Sequence, residues 1–166
     1  TCTRAINDLS ASGLISQTAE GTNKWITTAY TKSELLEKAY GRLKTPVDRI
    51  LYVKGTAQIE HPIASGIRAL ARQSMIGVND QDGAIAISKK EAAKIPAEDI
   101  CTKQYFEDFG GAVIEVWSYD PIILERDGCV DDISLLLSMD NDPNERVQTC
   151  LDEIRQKHGL PIKEEE

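Results

Sequence analysis

Apolar residues at helical spacing open the chain and recur in several later segments. In residues 2–12, Ala5, Ile6 and Leu9 lie on one stripe, and Gly13 can adopt the left-handed conformation that ends a helix. The pattern therefore predicts an amphipathic helix. Because an isolated helix of this length is marginal in water, we expect the chain to begin inside a larger packed unit.

A hairpin and a second helix are predicted next. Residues 14–16 and 24–28 have strand character, and the segment QTAEGTN between them supplies the Gly and Asn that favour a hairpin tip. The second helix is predicted to begin at Thr31 or Ser33 and to end before Thr45-Pro46.

Predicted strands and helices alternate through the remaining chain. The run ILYV is typical of a strand buried on both faces, and AVIEVW is the strongest strand pattern of all. Ser88 and Asp142 can each cap a helix, the second with Pro143 at its first position. The predicted strands are 47–54, 84–87 and 112–117, the predicted helices are 63–75, a short one after Ser88 and a last one from Pro143, and residues 133–139 fit either.

This order predicts an α+β fold in which the larger part is a mixed α/β domain. We assign residues 1–30 to a first unit, 31–45 to a connecting helix and 46–160 to the mixed α/β domain. Residues 161–166, which include the EEE terminus, are predicted to be a disordered acidic tail.

The opening segment resembles the second half of a winged helix-turn-helix. In that module the recognition helix is followed by L-x-x-x-G-L-I and a hairpin called the wing, and here Leu9 to Ile15 read LSASGLI. The resemblance implies that the first helix enters the major groove and that the hairpin lies along the backbone or the minor groove. It also implies that further helices precede Thr1. The alternative is an edge helix and hairpin that belong to the α/β domain.

Two later segments resemble bacterial winged-helix proteins described as MarR-like. Residues 114–121 follow the pattern I-x-V-W-x-Y-x-P, and residues 65–75 follow SG-x-x-AL-x-x-x-SM. The chain departs from that group at Ala71 and Leu136, where an aromatic residue is often found. The plan is also similar to abortive-infection antitoxins, which repress their own operons. The resemblance implies a transcriptional regulator and not an enzyme.

The polar side of the first helix and the hairpin tip hold the candidate DNA contacts. Side chains of these types suit base edges and phosphates, and Arg4 is expected to make the main contact. The candidates are Thr1, Thr3, Arg4 and Asn7 on the helix and Asn23 and Lys24 on the hairpin.

The charge is distributed unevenly along the chain. Residues 1–44 contain six basic and four acidic side chains, a net charge of +2, although the whole chain has a net charge of −8. The remaining residues therefore carry −10 and should repel a phosphate backbone. Double-stranded DNA is accordingly expected to bind the N-terminal segment, while the acidic domain is expected to serve self-association or a protein partner. A protein-interaction or ligand-sensing module without DNA binding is the alternative.

Carboxylates near the strongest predicted strand suggest a third hypothesis, a metal-dependent nuclease. Such residues at a strand end can hold Mg²⁺. However, Trp117 stands where a nuclease of the restriction-enzyme type would have a lysine, and turn and cap roles are the simpler interpretation. The acidic residues concerned are Glu115, Asp120, Asp127, Asp131 and Asp132.

No other motif predicts a cofactor or a metal. The four cysteines are scattered without a C-x-x-C pair, so we expect reduced thiols. Lys54-Gly55-Thr56 lacks the upstream glycine of a phosphate-binding loop. The sequence shows neither a secretory h-region nor an apolar run of ~20 residues, so a cytoplasmic protein without membrane contact is expected.

Overall fold

The computed structural model contains two compact units. The first is Thr1–Leu43 with Arg155–Glu166, and the second is Lys44–Ile154. The structure describes residues 2–21, 23–55, 58–77 and 83–162. Helices and a mixed sheet confirm the predicted α+β class. The predicted acidic tail lies outside the described residues from position 163 onward.

Seven helices and seven strands occur in the described part of the chain. The helices are α1 Cys2–Ala11, α2 Lys32–Tyr40, α3 Gly66–Ala71, α4 Lys89–Ala92, α5 Lys103–Phe109, α6 Asp132–Met139 and α7 Glu145–Lys157. The strands are β1 Ser16–Glu20, β2 Asn23–Thr27, β3 Val47–Val53, β4 Ile63–Ser65, β5 Ala84–Ser88, β6 Ile100–Cys101 and β7 Ala112–Trp117. None of these helices combines the length and the apolar character that crossing a lipid bilayer requires.

The first unit begins with the predicted helix and hairpin. Gly13 has φ +72°, a conformation that glycine adopts at little cost, and α1 ends just before it. Strand β1 begins at Ser16, later than predicted, and pairs in antiparallel register with β2. Helix α2 has a capping box, in which Thr31 Oγ1 accepts from the Glu34 N–H while the Glu34 carboxylate accepts from the Thr31 N–H.

The second unit is built on a five-stranded sheet with the strand order β4-β5-β7-β3-β6. Strand β7 lies in the centre, parallel to β5 and antiparallel to β3. Side chains alternate along β7, so Ile114 and Val116 face one side while Glu115 and Trp117 face the other. The apolar core of the first side consists of Val53, Ile87, Ala92, Ile114 and Val116.

Strand β3 differs from the prediction of burial on both faces. Val53 is buried, but Ile50 is 51% exposed. The neighbouring strand β6 pairs only with Tyr52 and Val53, so the earlier part of β3 has no described strand on that side. The apolar run ILYV therefore identified the strand correctly but not its burial.

The predicted helix over residues 63–75 is wrong in its first part. Residues Ile63–Ser65 form strand β4, which pairs antiparallel with β5, and only Gly66–Ala71 is helical. Gly66 has φ +54°, which interrupts any helix that would run through it. Apolar spacing alone did not distinguish this strand-to-helix turn from a continuous helix.

The C-terminal part of the second unit contains two capped helices. Residues 133–139, which fitted either element, belong to α6, where Asp131 Oδ1 accepts from the N–H groups of Ile133 and Ser134. Helix α7 begins at Glu145, and the predicted cap by Asp142 is wrong. Asn144 Oδ1 accepts from the Arg146 N–H at 3.0 Å, while Asp142 Oδ1 accepts from the Asn144 N–H. Strand β6 and helix α5 were not predicted.

Candidate nucleic-acid interface

The side of α1 that carries the predicted DNA contacts is exposed. Thr3, Arg4 and Asn7 are all exposed, whereas Ile6 and Leu9 are partly buried. Arg4 and Asn7 are three positions apart and Thr3 and Asn7 four, so these side chains are neighbours on the helix surface. Thr1, the fourth predicted contact on this helix, lies outside the described residues.

One detail of the predicted apolar stripe is wrong. Ala5 is exposed, although it was predicted to lie on the buried side with Ile6 and Leu9. A methyl side chain contributes little apolar area, so its exposure costs little. The buried side of α1 therefore depends on two partly buried residues.

Hydrogen bonds join α1 to the base of the hairpin. Gln17 Nε2 on β1 donates to Ser10 Oγ on α1 at 2.8 Å. The buried residue Leu14 lies between the two elements, and its N–H donates to Leu9 O at 3.1 Å. Thr28 Oγ1 then donates to Leu14 O at 2.8 Å, which closes the open end of the hairpin. These contacts fix the direction of the hairpin relative to the helix.

The two predicted contacts on the hairpin lie next to its tip. Asn23 is paired with Glu20, and Lys24 is paired with Ala19. Gly21 has φ +62° at the tip, a backbone conformation that glycine adopts readily. Asn23 and Lys24 are both exposed, so their polar groups are accessible to a phosphate.

The hairpin exposes two large apolar side chains. Trp25 on β2 is 56% exposed, and the adjacent Ile26 is also exposed. Every residue of β1 and β2 is exposed. The hairpin is therefore a projecting element whose side chains contact solvent on both faces.

Charges on this surface are mixed. Arg4 and Lys24 are exposed cations, but Asp8 and Glu20 are exposed anions, and Asp8 follows Arg4 by one helical turn. The first turn of α1 contains no acidic side chain among the described residues. A phosphate would therefore find its most favourable potential near the N-terminal end of the helix.

The structure does not bring the five acidic candidates together as a metal site. Asp120 and Asp131 are helix caps, as the simpler interpretation predicted, with Asp120 Oδ1 accepting from the Ile122 N–H at 3.2 Å. Asp127 lies in a turn at φ +52°, and Asp132 lies in the first turn of α6. In the described part of the chain, no three His, Cys, Asp or Glu side chains form a group that would hold a metal ion.

Glu115, the fifth of these residues, has a separate environment. It is buried on β7, and its Oε2 accepts a hydrogen bond from Trp117 Nε1 at 3.0 Å. Burial raises the pKa of the Glu115 carboxyl, and the nearby Trp117 and Ser65 side chains lower it to a smaller extent. The sequence identified Glu115 as a candidate residue but gave no indication of its burial.

Sequence reasoning missed one exposed apolar segment. Ile122, Ile123 and Leu124 follow Pro121 in a short 3₁₀ turn, and Ile123 is 70% exposed. The run PIIL was a usable signal, because consecutive exposed apolar residues often mark an interaction surface.

Comparison with known proteins gives no further assignment. No protein-family model matches the chain, and neither a curated protein nor a solved structure matches it.

Proposed function

We propose that the protein is a DNA-binding transcriptional regulator, with α1 as the recognition helix and the β1–β2 hairpin as the wing of a winged helix-turn-helix. Arg4 is the main DNA contact, supported by Thr3 and Asn7 on the helix and by Asn23 and Lys24 on the hairpin. The proposal assigns the same role to Thr1 and includes no catalytic step.

One observation carries this proposal: a short helix with an exposed polar side is hydrogen-bonded to a projecting, fully exposed hairpin. An α-helix that reads bases must present side chains into the major groove, and Arg4 and Asn7 are of types that bind guanine and adenine edges. A wing must remain accessible to the backbone, and Asn23 and Lys24 are exposed near the hairpin tip. The contact through Gln17 would hold both elements in one orientation towards a duplex.

The experiment is a titration of the full-length protein with a fluorescent duplex from upstream of its own coding region, at several salt concentrations. We expect the logarithm of the affinity to fall linearly with the logarithm of the salt concentration. The variant Arg4→Ala should weaken binding by about 1–3 kcal/mol if Arg4 contacts a base, or reduce the salt slope by about 1 if it contacts a phosphate.

A matched control is Arg49→Ala, which removes an exposed arginine from β3 in the second unit. This variant should bind the duplex as tightly as the unchanged protein. Equal binding by Arg4→Ala and the unchanged protein at every salt concentration would contradict the proposal.

For the second unit we propose self-association through the exposed segment Ile122–Leu124. Regulators that bind two half-sites are commonly two-fold symmetric, and the exposed segment is apolar in a unit that is otherwise strongly acidic. Its proposed role in a defence operon, as an antitoxin-like component, is supported only by the sequence resemblance.

Ile123→Asp tests this part of the proposal, since a charge in the contact should oppose association. Light scattering after size exclusion should give a dimer mass for the unchanged protein and a monomer mass for the variant. A monomer mass for both proteins at high concentration would contradict self-association without affecting the DNA-binding test.

A further inference from the structure

A cleft in the second unit lies between the N-terminal end of α3, the C-terminal end of α6 and one face of the sheet. Its volume is about 570 Å³, within the range of roughly 300–1,000 Å³ that small-molecule sites occupy. Glu115 forms part of its wall, and Asp140 and Asp142 line it at the α6 end. Of the described residues that line the cleft, several are acidic and none is basic.

Glu115 is the chemically unusual residue of this wall. The residue is only 9% exposed. None of the ion pairs seen in the described parts of the chain includes Glu115. A buried carboxylate is costly without a cationic partner, because it has lost its hydration. A cation that enters the cleft would compensate this cost.

On the α3 side, Gly66 lies next to the Glu115 carboxyl group. A Cβ atom at Gly66 would lie 3.7 Å from Glu115 Oε1, so any larger side chain would crowd this oxygen. The adjacent Ser65 is wholly buried, and its Oγ makes no hydrogen bond of normal geometry to a described residue. It is nevertheless close enough to lower the pKa of Glu115. Ser65 therefore lies behind the wall of the cleft, next to the Glu115 carboxyl.

The α6 side contributes further negative potential. The C-terminal end of this eight-residue helix reaches the cleft at Ser138, and the carbonyl groups of a helix C-terminus attract cations. Gln148 Nε2 holds the following turn by donating to the carbonyl oxygens of Asp142 at 2.8 Å and Asp140 at 3.3 Å. The backbone of this turn is therefore held in position before a ligand arrives.

We propose that this cleft binds a small organic cation, an alkylammonium or alkylguanidinium group that donates hydrogen bonds to Glu115. Both groups are positively charged and carry N–H groups. The Glu115 carboxylate and the α6 carbonyl groups can accept hydrogen bonds from these N–H groups. This inference goes beyond the proposed DNA-binding function and does not depend on it.

The experiment is calorimetric titration of the full chain with butylammonium chloride and butylguanidinium chloride at constant ionic strength. We expect one equivalent to bind, and the two salts will show which cation is preferred. Glu115→Gln should weaken binding by about tenfold or more, the scale of a hydrogen bond to a charged group. The control Glu153→Gln removes the same charge from an exposed site on α7 and should bind as the unchanged protein does.

A second variant, Ser138→Phe, fills part of the cleft without changing its charge and should weaken binding at least as much as Glu115→Gln. Circular dichroism will identify any variant that does not fold. Equal binding by a folded Glu115→Gln or Ser138→Phe variant and the unchanged protein would overturn the proposal. Equal affinity for tetramethylammonium, which has no N–H donor, would also overturn it, as would Glu115-dependent binding of Mg²⁺ in place of either organic cation.

Discussion

The two units differ most in how much apolar surface each one buries. Among the described residues, the first unit contains only two buried apolar residues, Leu14 and Leu160, whereas the second contains a large set that includes Leu70, Leu135 and Leu136. Helix α2 has no buried residue at all. Burial of apolar area is the main favourable term in folding, so the second unit should hold most of the stability of the chain.

This difference indicates a division between stability and recognition. The first unit depends on local hydrogen bonds, such as the capping box at Thr31 and the contact between Gln17 and Ser10. Such bonds order short elements but leave their side chains in solvent. Exposed polar side chains on an ordered helix and hairpin suit the binding of a large polar partner, whereas the second unit offers a cleft suited to a small ligand.

The largest predicted effect is a change in the core of the second unit. Leu136→Ala should lower the free energy of unfolding by about 2–5 kcal/mol, because Leu136 is wholly buried and the substitution leaves a cavity. Ile6→Ala in the partly buried stripe of α1 should cost about 1 kcal/mol or less. Urea denaturation followed by circular dichroism measures both. Equal losses of unfolding free energy in the two variants would contradict the prediction that the second unit contributes more to stability than the first.

A change at Glu115 should alter how stability depends on pH. Because its pKa is raised above the ordinary value of 4.5 in the folded protein, the unfolded chain releases this proton first as the pH rises. The contribution of Glu115 to the free energy of unfolding should therefore fall from about pH 4.5 upward and level off once the pH has passed the folded pKa. Glu115→Gln should remove this contribution, so that the variant melts at a higher temperature than the unchanged protein near neutral pH but not near pH 4.

The matched control for this melting series is Glu153→Gln, which changes an exposed carboxyl. Its melting temperature should follow that of the unchanged protein at each pH. If the melting temperatures of Glu115→Gln and the unchanged protein differed by the same amount at every pH, ionisation of Glu115 would not be the cause of the difference.

Helix caps provide a smaller and more local comparison. Thr31→Ala removes the cap of α2 in the first unit, and Asp131→Ala removes the cap of α6 in the second. Each should cost about 0.5–2 kcal/mol. Asp131 should cost more, since it accepts from two backbone N–H groups in a partly buried turn. Thermal melts would test this order of the two stability losses. A larger loss of stability for Thr31→Ala than for Asp131→Ala would contradict the prediction.

The smallest predicted effect concerns the exposed anion on the proposed DNA-binding surface. Asp8→Asn should strengthen binding to the duplex by about 0.5 kcal/mol at low salt, because it removes a repulsive charge near Arg4. The gain should decline as salt is added. Glu37→Gln, on the exposed surface of α2, is the control for a general change of net charge. An identical gain from both variants would indicate that only net charge matters.

Local signals allowed many elements to be predicted from the sequence. Gly13 marked the end of α1, Ser88 marked the start of α4, and the run AVIEVW identified β7, because caps, turns and β-branched runs act over a few residues. The strand β4 was missed because Ile63 and Ala64 fit a helical stripe as well as a strand. The two residues of β6 are too few to produce a pattern.

The candidate sites were predictable to different extents. The residue types and spacing of Arg4 and Asn7 indicated a polar helix side, and their exposure agrees with it. The cleft around Glu115 could not be predicted, because its walls come from β7, α3 and α6, which are far apart in the sequence. Nothing in the residues around Glu115 distinguished it from an exposed strand carboxylate.

The sequence by itself determined the α+β class, the helix and hairpin at the start of the chain, and most helix caps, since these depend on near neighbours. Tertiary structure alone decided which strands are buried. It also decided that strand β4 ends and helix α3 begins at Gly66, and that Glu115 lies in the wall of a cleft. Burial is set by the elements that pack over a residue, and those elements are brought together only when distant segments of the chain fold against one sheet.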